Sequence, residues 1–329
     1  MVLKRMLSAF GVGGPSVDTV LTNPNTRPGL TLDGTVHLRG GDFDADIEQV
    51  AVALVTRVEV EGGDVEYDSF VEFNRLPVAG PLRLVAGQQL SIPFQLPVPW
   101  ETPITDVYGQ RLRGMTMGLR TDVAIARAVD KGDLDPVAVH PLPVQERILE
   151  AFARLGFRFK SADLERGRIY GVQQTLPFFQ EIEYIAAPQY ASSVREVELT
   201  FIANPHFVEV VLEADKRGGF FTPGHDTYGR HVVEHASADQ VDWTQRVDEW
   251  MRQLIAGYAS RGYHGGHHAR HYGGHHRGHG LGAGVAGAVA GSVLGFAGGM
   301  IAGEMMEEAV EGAFEAFDGG GFEVDFGGE

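Results

Sequence analysis

The sequence contains no cysteine among its 329 residues. It therefore has no thiol that could close a disulfide, bind a metal as a thiolate or act as a nucleophile, and a reducing cytosolic compartment is compatible with it. The phosphate-loop signature and the Gly-x-Ser-x-Gly turn of serine hydrolases are also missing from the sequence. We expect neither of these enzyme activities, and we expect no cofactor.

Positive charge is scarce in the sequence. The chain has 27 Lys and Arg against 44 Asp and Glu, which gives a formal net charge of −17. Such a surface repels phosphate backbones, so nucleic acid is not an expected partner. Hydrophobic residues make up 43% of the chain, and at this length they suffice for two domains with their own cores.

Most of the first 258 residues consist of short β-type runs separated by glycine and proline. The runs are 17–21, 47–60, 65–73, 82–85, 89–96 and 115–128, with another around Val36, and then 169–174, 180–185, 194–202 and 207–212. This spacing is typical of β-sandwiches. The sequence therefore predicts an all-β fold with two β-sandwich domains, at 1–129 and 144–258, joined by a short extended hinge at 130–143.

Two segments predict helices. In the first, Pro143 suits the first turn, Gly156 suits the end, and the apolar residues between them share one face. In the second, Ser237 and Gln240 form a capping-box pattern ahead of apolar residues at helical spacing. We predict that this second helix closes the folded body near Tyr258.

His231, Glu234 and His235 match the H-x-x-E-H pattern of one class of zinc metalloproteases. On a helix the two histidines would lie one turn apart and could share a zinc ion, whereas on a strand they would be about 13 Å apart. Val232 and Val233 favour a strand. We interpret the pattern as a chance match and keep a zinc-dependent hydrolase as one alternative function, the other being a metal-binding or pH-sensing His-rich protein.

The tail at 259–329 is divided by charge. Residues 260–280 hold three arginines, no acid and seven histidines, whereas residues 304–329 hold nine acids and no Lys or Arg. The histidines are His264, His267, His268, His271, His275, His276 and His279. They could bind Zn, Ni or Cu, or they could form a pH-responsive spacer that gains positive charge on acidification. We favour the spacer because the surrounding glycines preorganise no ligand geometry.

Between these two parts, residues 281–303 carry no charge and repeat glycine at every fourth position. The repeat comprises Gly287, Gly291, Gly295, Gly299 and Gly303. The segment is long enough to span a bilayer, and its spacing lets helices pack closely, but its glycine content lowers both helix propensity and hydrophobicity. Membrane contact and self-association as a homo-oligomer both remain open. The basic side precedes the segment, so the folded body is expected in the cytoplasm.

Several ordered segments carry a family resemblance. They are VDTVL at 17–21, RPG at 27–29, PWETPI at 99–104, DLDP at 133–136, HPLP at 140–143 and LGFRF at 155–159. Through them, residues 1–255 resemble the bacterial sporulation-control proteins of the SpoOM type, an arrestin-like family. The resemblance implies two arrestin-like sandwiches and a non-enzymatic regulator or scaffold in sporulation or development. Its implied partners are other proteins of the sporulation, cell-division or cytoskeletal machinery.

Overall fold

The computed structural model of the chain describes residues 13–62, 65–128, 130–214 and 229–262. Strands dominate these ranges, and the predicted all-β class is confirmed. The strands of the first half are β1 (Ser16–Leu21), β2 (Asn25–Thr26), β3 (Thr31–Arg39), β4 (Ala45–Gly62), β5 (Val65–Ala79), β6 (Leu82–Leu84), β7 (Gln89–Pro97), β8 (Asp106–Val107), β9 (Gln110–Arg111), β10 (Met117–Ile125), β11 (Lys131–Pro136) and β12 (Ala138–Val139).

The second half begins with a helix and continues as consecutive strands. Its elements are α1 (Pro143–Arg154), β13 (Arg158–Arg166), β14 (Phe178–Ile185), β15 (Glu196–Ala203), β16 (Phe207–Ala214), β17 (Gly229–Glu234), a 3-10 turn (His235–Ser237) and α2 (Trp243–Gly262). Strands β13 to β17 pair in sequence order, each antiparallel to the one before.

The first half is a sandwich of two sheets. One sheet has the order β1-β3-β7, and the other is formed by β11, β10 and β4, with β5 and β6 also paired to β4. Alternate residues of β3, such as Leu32, Val36 and Leu38, are fully buried between the sheets, as a strand with one core-facing side requires. The two sheets meet where Thr19 of β1 donates its N–H to Asp133 Oδ2 of β11 at 2.7 Å and the hydroxyls of Thr19 and Thr121 lie 2.7 Å apart.

The segment predicted as a hinge is extended, and both of its strands are paired. β11 pairs antiparallel with β10, and β12 pairs parallel with β2. Val137 and Val139 are buried in the core of the first sandwich. These pairings hold most of the 130–143 segment in the first half, and the division of the chain into two domains at this point stays a prediction.

Strand β4 connects the two halves. It is 18 residues long, and it pairs with β10 through residues 47–56 and with β5 through residues 50–62. Near its end, Glu59 pairs with Glu165 of β13 in parallel orientation. Through this strand the second half continues the same sheet, which has ten strands in the described residues.

Two helices cover one face of β13 to β17. Ile148 and Phe152 of α1 and Val247 and Met251 of α2 are fully buried there, at the i, i+4 spacing that places side chains on one face of a helix. Residues of the first half complete this core: Val58, Ile104, Val107, Leu112 and Met115. The two halves therefore share a hydrophobic core as well as a sheet.

The first predicted helix is confirmed at both ends, and the start of the second was wrong. Gly156 follows α1 with φ of +89°, the left-handed conformation that glycine adopts without strain. α2 begins at Trp243, where Asp242 Oδ1 accepts a hydrogen bond from the backbone N–H of Gln245 at 3.1 Å. Ser237 instead donates to the carbonyl of Glu234 and closes the 3-10 turn.

The strand predicted at 169–174 was also wrong, because this segment is a loop held by one side chain. The amide of Gln174 accepts a hydrogen bond from Ile169 N–H at 3.0 Å and donates to the carbonyls of Gly167, Leu176 and Phe178. These bonds replace the strand pairing that the backbone would otherwise need. The apolar run is still used, since Ile169 is buried against the outer face of the second half.

Candidate functional site: an acidic face beside the junction of the two halves

The segment at 99–104 joins the first half to the second. The carboxylate of Glu101 accepts hydrogen bonds from the backbone N–H groups of Thr175 and Leu176 and from the Thr175 hydroxyl, at 2.8 to 2.9 Å. The buried Gln180 amide accepts from Ile104 N–H at 2.9 Å and donates to Ile104 C=O at 2.7 Å. The residues that carry the family resemblance here are therefore structural, and they fix the junction.

On the other side of the junction, a turn at residues 113–114 lies close against β13 of the second half. Ala162 of β13 donates its N–H to the carbonyl of Arg113 at 3.1 Å. Gly114 follows with φ of +93°, and a Cβ atom there would lie 2.1 Å from the carbonyl oxygen of Ala162. Only glycine allows this approach of the two backbones.

The H-x-x-E-H residues lie on a strand and a turn, not on the helix that a shared zinc ion requires. His231 of β17 stacks on Trp250 of α2 with ring centroids 4.3 Å apart, and burial followed by the charge of Arg246 lowers its pKa to about 4. His235 in the 3-10 turn donates from Nε2 to the carbonyl of Asn204 at 2.7 Å and packs against Trp100. The two imidazoles serve separate packing contacts.

The tail residues singled out from the sequence lie outside the described residues. These are the seven histidines from His264 to His279 and the five glycines from Gly287 to Gly303. In the part of the chain that the structure does describe, neither helix combines the length and the apolar character needed to cross a membrane.

The outer face of the second half carries a dense set of acids. Successive side chains alternate between the faces of a strand, and directly paired residues of neighbouring strands share a face. The face opposite the helices therefore presents the following acids: Asp163, Glu165, Glu181, Glu183, Glu198, Glu209 and Glu213, with Glu59 on β4 beside them. The pairing sets Asp163 opposite Glu181, Glu183 opposite Glu198, and Glu198 opposite Glu213.

Cations offset part of this charge at the edges of the face. Lys160 lies 3.1 Å from Glu183 and 2.8 Å from Glu196, and Arg230 lies 2.7 Å from Glu209. Towards the centre the acids repel one another. Burial, and then the charges of Glu213 and Glu183, raise the pKa of Glu198 to about 7. For Glu181, burial and then the charges of Glu198 and Asp163 raise the pKa to about 10.

Three of these acids converge closely. Glu59, Asp163 and Glu165 each offer a carboxylate oxygen, and these oxygens all lie within 4.8 Å of one another. Among the described residues this is the one group of three or more His, Asp or Glu side chains that could hold a metal ion. Oxygen ligands favour hard cations such as Ca²⁺, Mg²⁺ and Mn²⁺.

The sequence alone did not predict this acidic face. Its acids are far apart in the chain, and the register of five strands brings them together. One local signal was present, since Asp163 and Glu165, and likewise Glu181 and Glu183, alternate with apolar residues at strand spacing. That period places each pair on one face, but it does not reveal which strands are neighbours.

A family model described as SpoOM protein matches residues 3–218 of the chain. The chain belongs to the SpoOM family. This confirms the resemblance drawn from its sequence segments. The SpoOM match includes β4, β13 and β14, the strands that carry the converging acids, and it ends before the tail.

Two SpoOM relatives extend the comparison. The sporulation-control protein spo0M of Bacillus subtilis (strain 168) is 29% identical over 261 residues, which cover 78% of this chain and 98% of that protein. The crystal structure of Spo0M from Bacillus subtilis matches with a TM-score of 0.67 and 28% identity, and it covers 74% of this chain and all of that chain. Membership thus places the chain among proteins named for the control of sporulation.

Proposed function

We propose that this chain is a non-enzymatic regulator of sporulation or development that acts by binding other proteins. The observation that carries the proposal is its similarity to a sporulation-control protein over 98% of that protein's length. The shared core and the Glu101 and Gln180 bonds support a rigid body that presents its surfaces in a fixed geometry.

The binding surface that we infer is the free edge of β17. In the described part of the chain, β17 has a strand partner on one side only, which is β16. An edge strand offers backbone N–H and C=O groups to which an extended segment of a partner can add as a further strand. Val232 is 57% exposed there, between the exposed Arg230 and Glu234. The partner is an extended segment of a protein of the sporulation, cell-division or cytoskeletal machinery.

Deletion of the gene in its host, followed by complementation, tests both parts of this proposal. We expect deletion to change the number of heat-resistant spores and the full-length chain to restore it. Val232→Lys places a charge on the β17 edge, and this charge opposes the addition of a partner strand. The Val232→Lys variant should therefore fail to restore the spore number. Tyr170→Lys is the matched control, since Tyr170 is 80% exposed on a neighbouring loop. An unchanged spore count on deletion would refute the regulatory role, and full rescue by Val232→Lys would refute the surface.

We also infer that the tail assembles the protein into oligomers, as a scaffold would require, with membrane contact as the competing outcome. In the full-length chain, the double substitution Gly291→Leu and Gly295→Leu replaces small side chains with bulky ones that would prevent close packing, so it should lower the mass measured by light scattering. Alanine at both positions is still small and should leave that mass unchanged. The seven histidines that precede the glycine repeat would act as a pH-responsive spacer. Unchanged mass in the leucine variant, with membrane pelleting in cell fractions, would instead support an anchor.

A further inference from the structure

We propose that strand β17 pairs antiparallel with β17 of a second copy of this chain, so that the two folded bodies share one continuous sheet. This pairing deepens the proposed function and rests on it in one respect, that the β17 edge adds a strand. A partner strand and the second copy would then compete for the same edge. The order of side chains on β17 supports the pairing, because the exposed Val232 lies between the exposed Arg230 and Glu234.

The two ends of the strand path from β11 to β17 differ in how they are covered. At one end, β11 lies against β1, where Thr19 N–H donates to Asp133 Oδ2 at 2.7 Å. At the other end, β17 has β16 as its only strand partner in the described ranges, and Val232 is 57% exposed there. An open edge with an apolar side chain invites uncontrolled association. A two-fold pairing prevents it, because each copy uses its edge once.

The side chains of β17 are self-complementary in charge. Antiparallel pairing about a two-fold axis at Val232 sets Arg230 of each copy directly opposite Glu234 of the other. Opposite charges at directly paired positions stabilise a sheet. A shift by two residues would instead set Val232 opposite one of the charges, and a shift by one would join opposite faces of the two sheets. The charges therefore select a single register.

The three self-complementary side chains share the outer face of the sheet. Along β17 they alternate with His231, whose ring stacks on Trp250 of α2 with centroids 4.3 Å apart. Arg230, Val232 and Glu234 therefore point away from the helices. Pairing joins the outer faces of the two copies on one side of the sheet and their helical layers on the other. It also brings the two Val232 side chains together and removes apolar surface from water.

Arg230 is held in position for such a contact. Its Nε lies 2.7 Å from Glu209 Oε2, and its Nη1 donates to the carbonyl of Gly171. A guanidinium has five N–H donors, and this side chain is still 44% exposed, so donors remain for a second carboxylate. Because the side chain is already ordered, little conformational entropy is lost when Glu234 of the second copy binds to it.

Cysteine cross-linking of the full-length chain tests the pairing, since the chain has no cysteine of its own that could interfere. In Val232→Cys the two thiols would face each other across Cα atoms about 4.5 to 5.5 Å apart, which a disulfide can bridge. After oxidation with glutathione disulfide we expect most of this variant to run as a linked dimer on a non-reducing gel. Val20→Cys is the matched control and should run as a monomer. Val20 is 51% exposed on β1, whose edge lies against β11.

Two mixing experiments test the register. Copies with Arg230→Cys and copies with Glu234→Cys should form a disulfide when mixed and not when oxidised separately, because only the mixed pair sets two thiols opposite each other. In the Val232→Cys background, Arg230→Glu or Glu234→Arg should each lower the cross-linked fraction by about fivefold or more, since like charges then face each other. Mixing these two reversed variants should restore it, which also shows that both are folded.

The pairing is overturned if Val232→Cys cross-links no more than Val20→Cys, as association through the tail alone would give. The register is overturned if each charge-reversed variant cross-links as well by itself as in the mixture. These readouts come from purified protein, whereas the partner-binding role is read from spore numbers. Absence of the cross-link, together with failure of Val232→Lys to restore the spores, would refute the self-pairing and leave the partner surface standing.

Discussion

Asp135 has a partly buried carboxyl group that lies near other acids. It lies on β11, its Oδ2 atom is buried without a hydrogen bond, and burial followed by the charges of Asp133 and Asp18 raises its pKa to about 7. Its ordinary pKa is 3.8. Between these values the folded state binds more protons than the unfolded state, so the contribution of Asp135 to stability is lost as the pH rises from about 4 to about 7.

The substitution Asp135→Asn should remove this pH dependence. At pH 8 the variant is expected to be more stable than the wild type by about 2 kcal/mol, because the charged form is no longer buried, and at pH 5 the difference should be less than half as large. Urea unfolding at both pH values measures this. Asp239→Asn, at a carboxylate that is 79% exposed, is the control and should give the same small change at each pH. Equal effects of Asp135→Asn at pH 5 and pH 8 would contradict the expectation.

At the scale of elements, local sequence patterns predicted most of the individual strands and helices. Most strand runs and the helix at Pro143 follow from side-chain periodicity and terminal residues, and the structure has them where they were expected. The loop at 169–174 differs because one amide, Gln174, satisfies backbone groups that a strand would have paired. The pairing of β4 with β13 joins residues more than one hundred positions apart, so no local pattern announces it, and the acidic site that depends on it was missed for the same reason.

The start of α2 gives a test at this scale. Asp242→Ala removes the side chain that accepts a hydrogen bond from Gln245 N–H, and it should lower the free energy of unfolding by about 1 kcal/mol. Ser237→Ala should cost less, because that hydroxyl bonds to Glu234 in an exposed turn. Chemical denaturation of both variants compares them. If Ser237→Ala is the more harmful of the two, the helix begins where its sequence first suggested.

At the scale of the whole molecule, the shared core argues against independent halves. Val58, Ile104 and Met115 of the first half are buried in the core that α1 and α2 cover. Calorimetry of the full-length chain should therefore show a single cooperative transition for the folded body, with equal calorimetric and van't Hoff enthalpies. Gln180→Ala, which breaks both hydrogen bonds to Ile104, should lower that transition without splitting it. Two separate transitions in the wild type would favour two autonomous domains on either side of the 130–143 segment.

The length of β4 limits how this chain can change in evolution. The strand runs for about 60 Å, and its two ends belong to different cores, with Ile47 in the first and Val58 in the second. Successive side chains of a strand point to opposite faces of the sheet. An insertion or deletion of one residue between these ends would therefore point Val58 to the outside and Glu59 to the inside. Insertions and deletions within β4 should therefore come in pairs of residues or be absorbed by a bulge, whereas surface loops tolerate changes of length more readily.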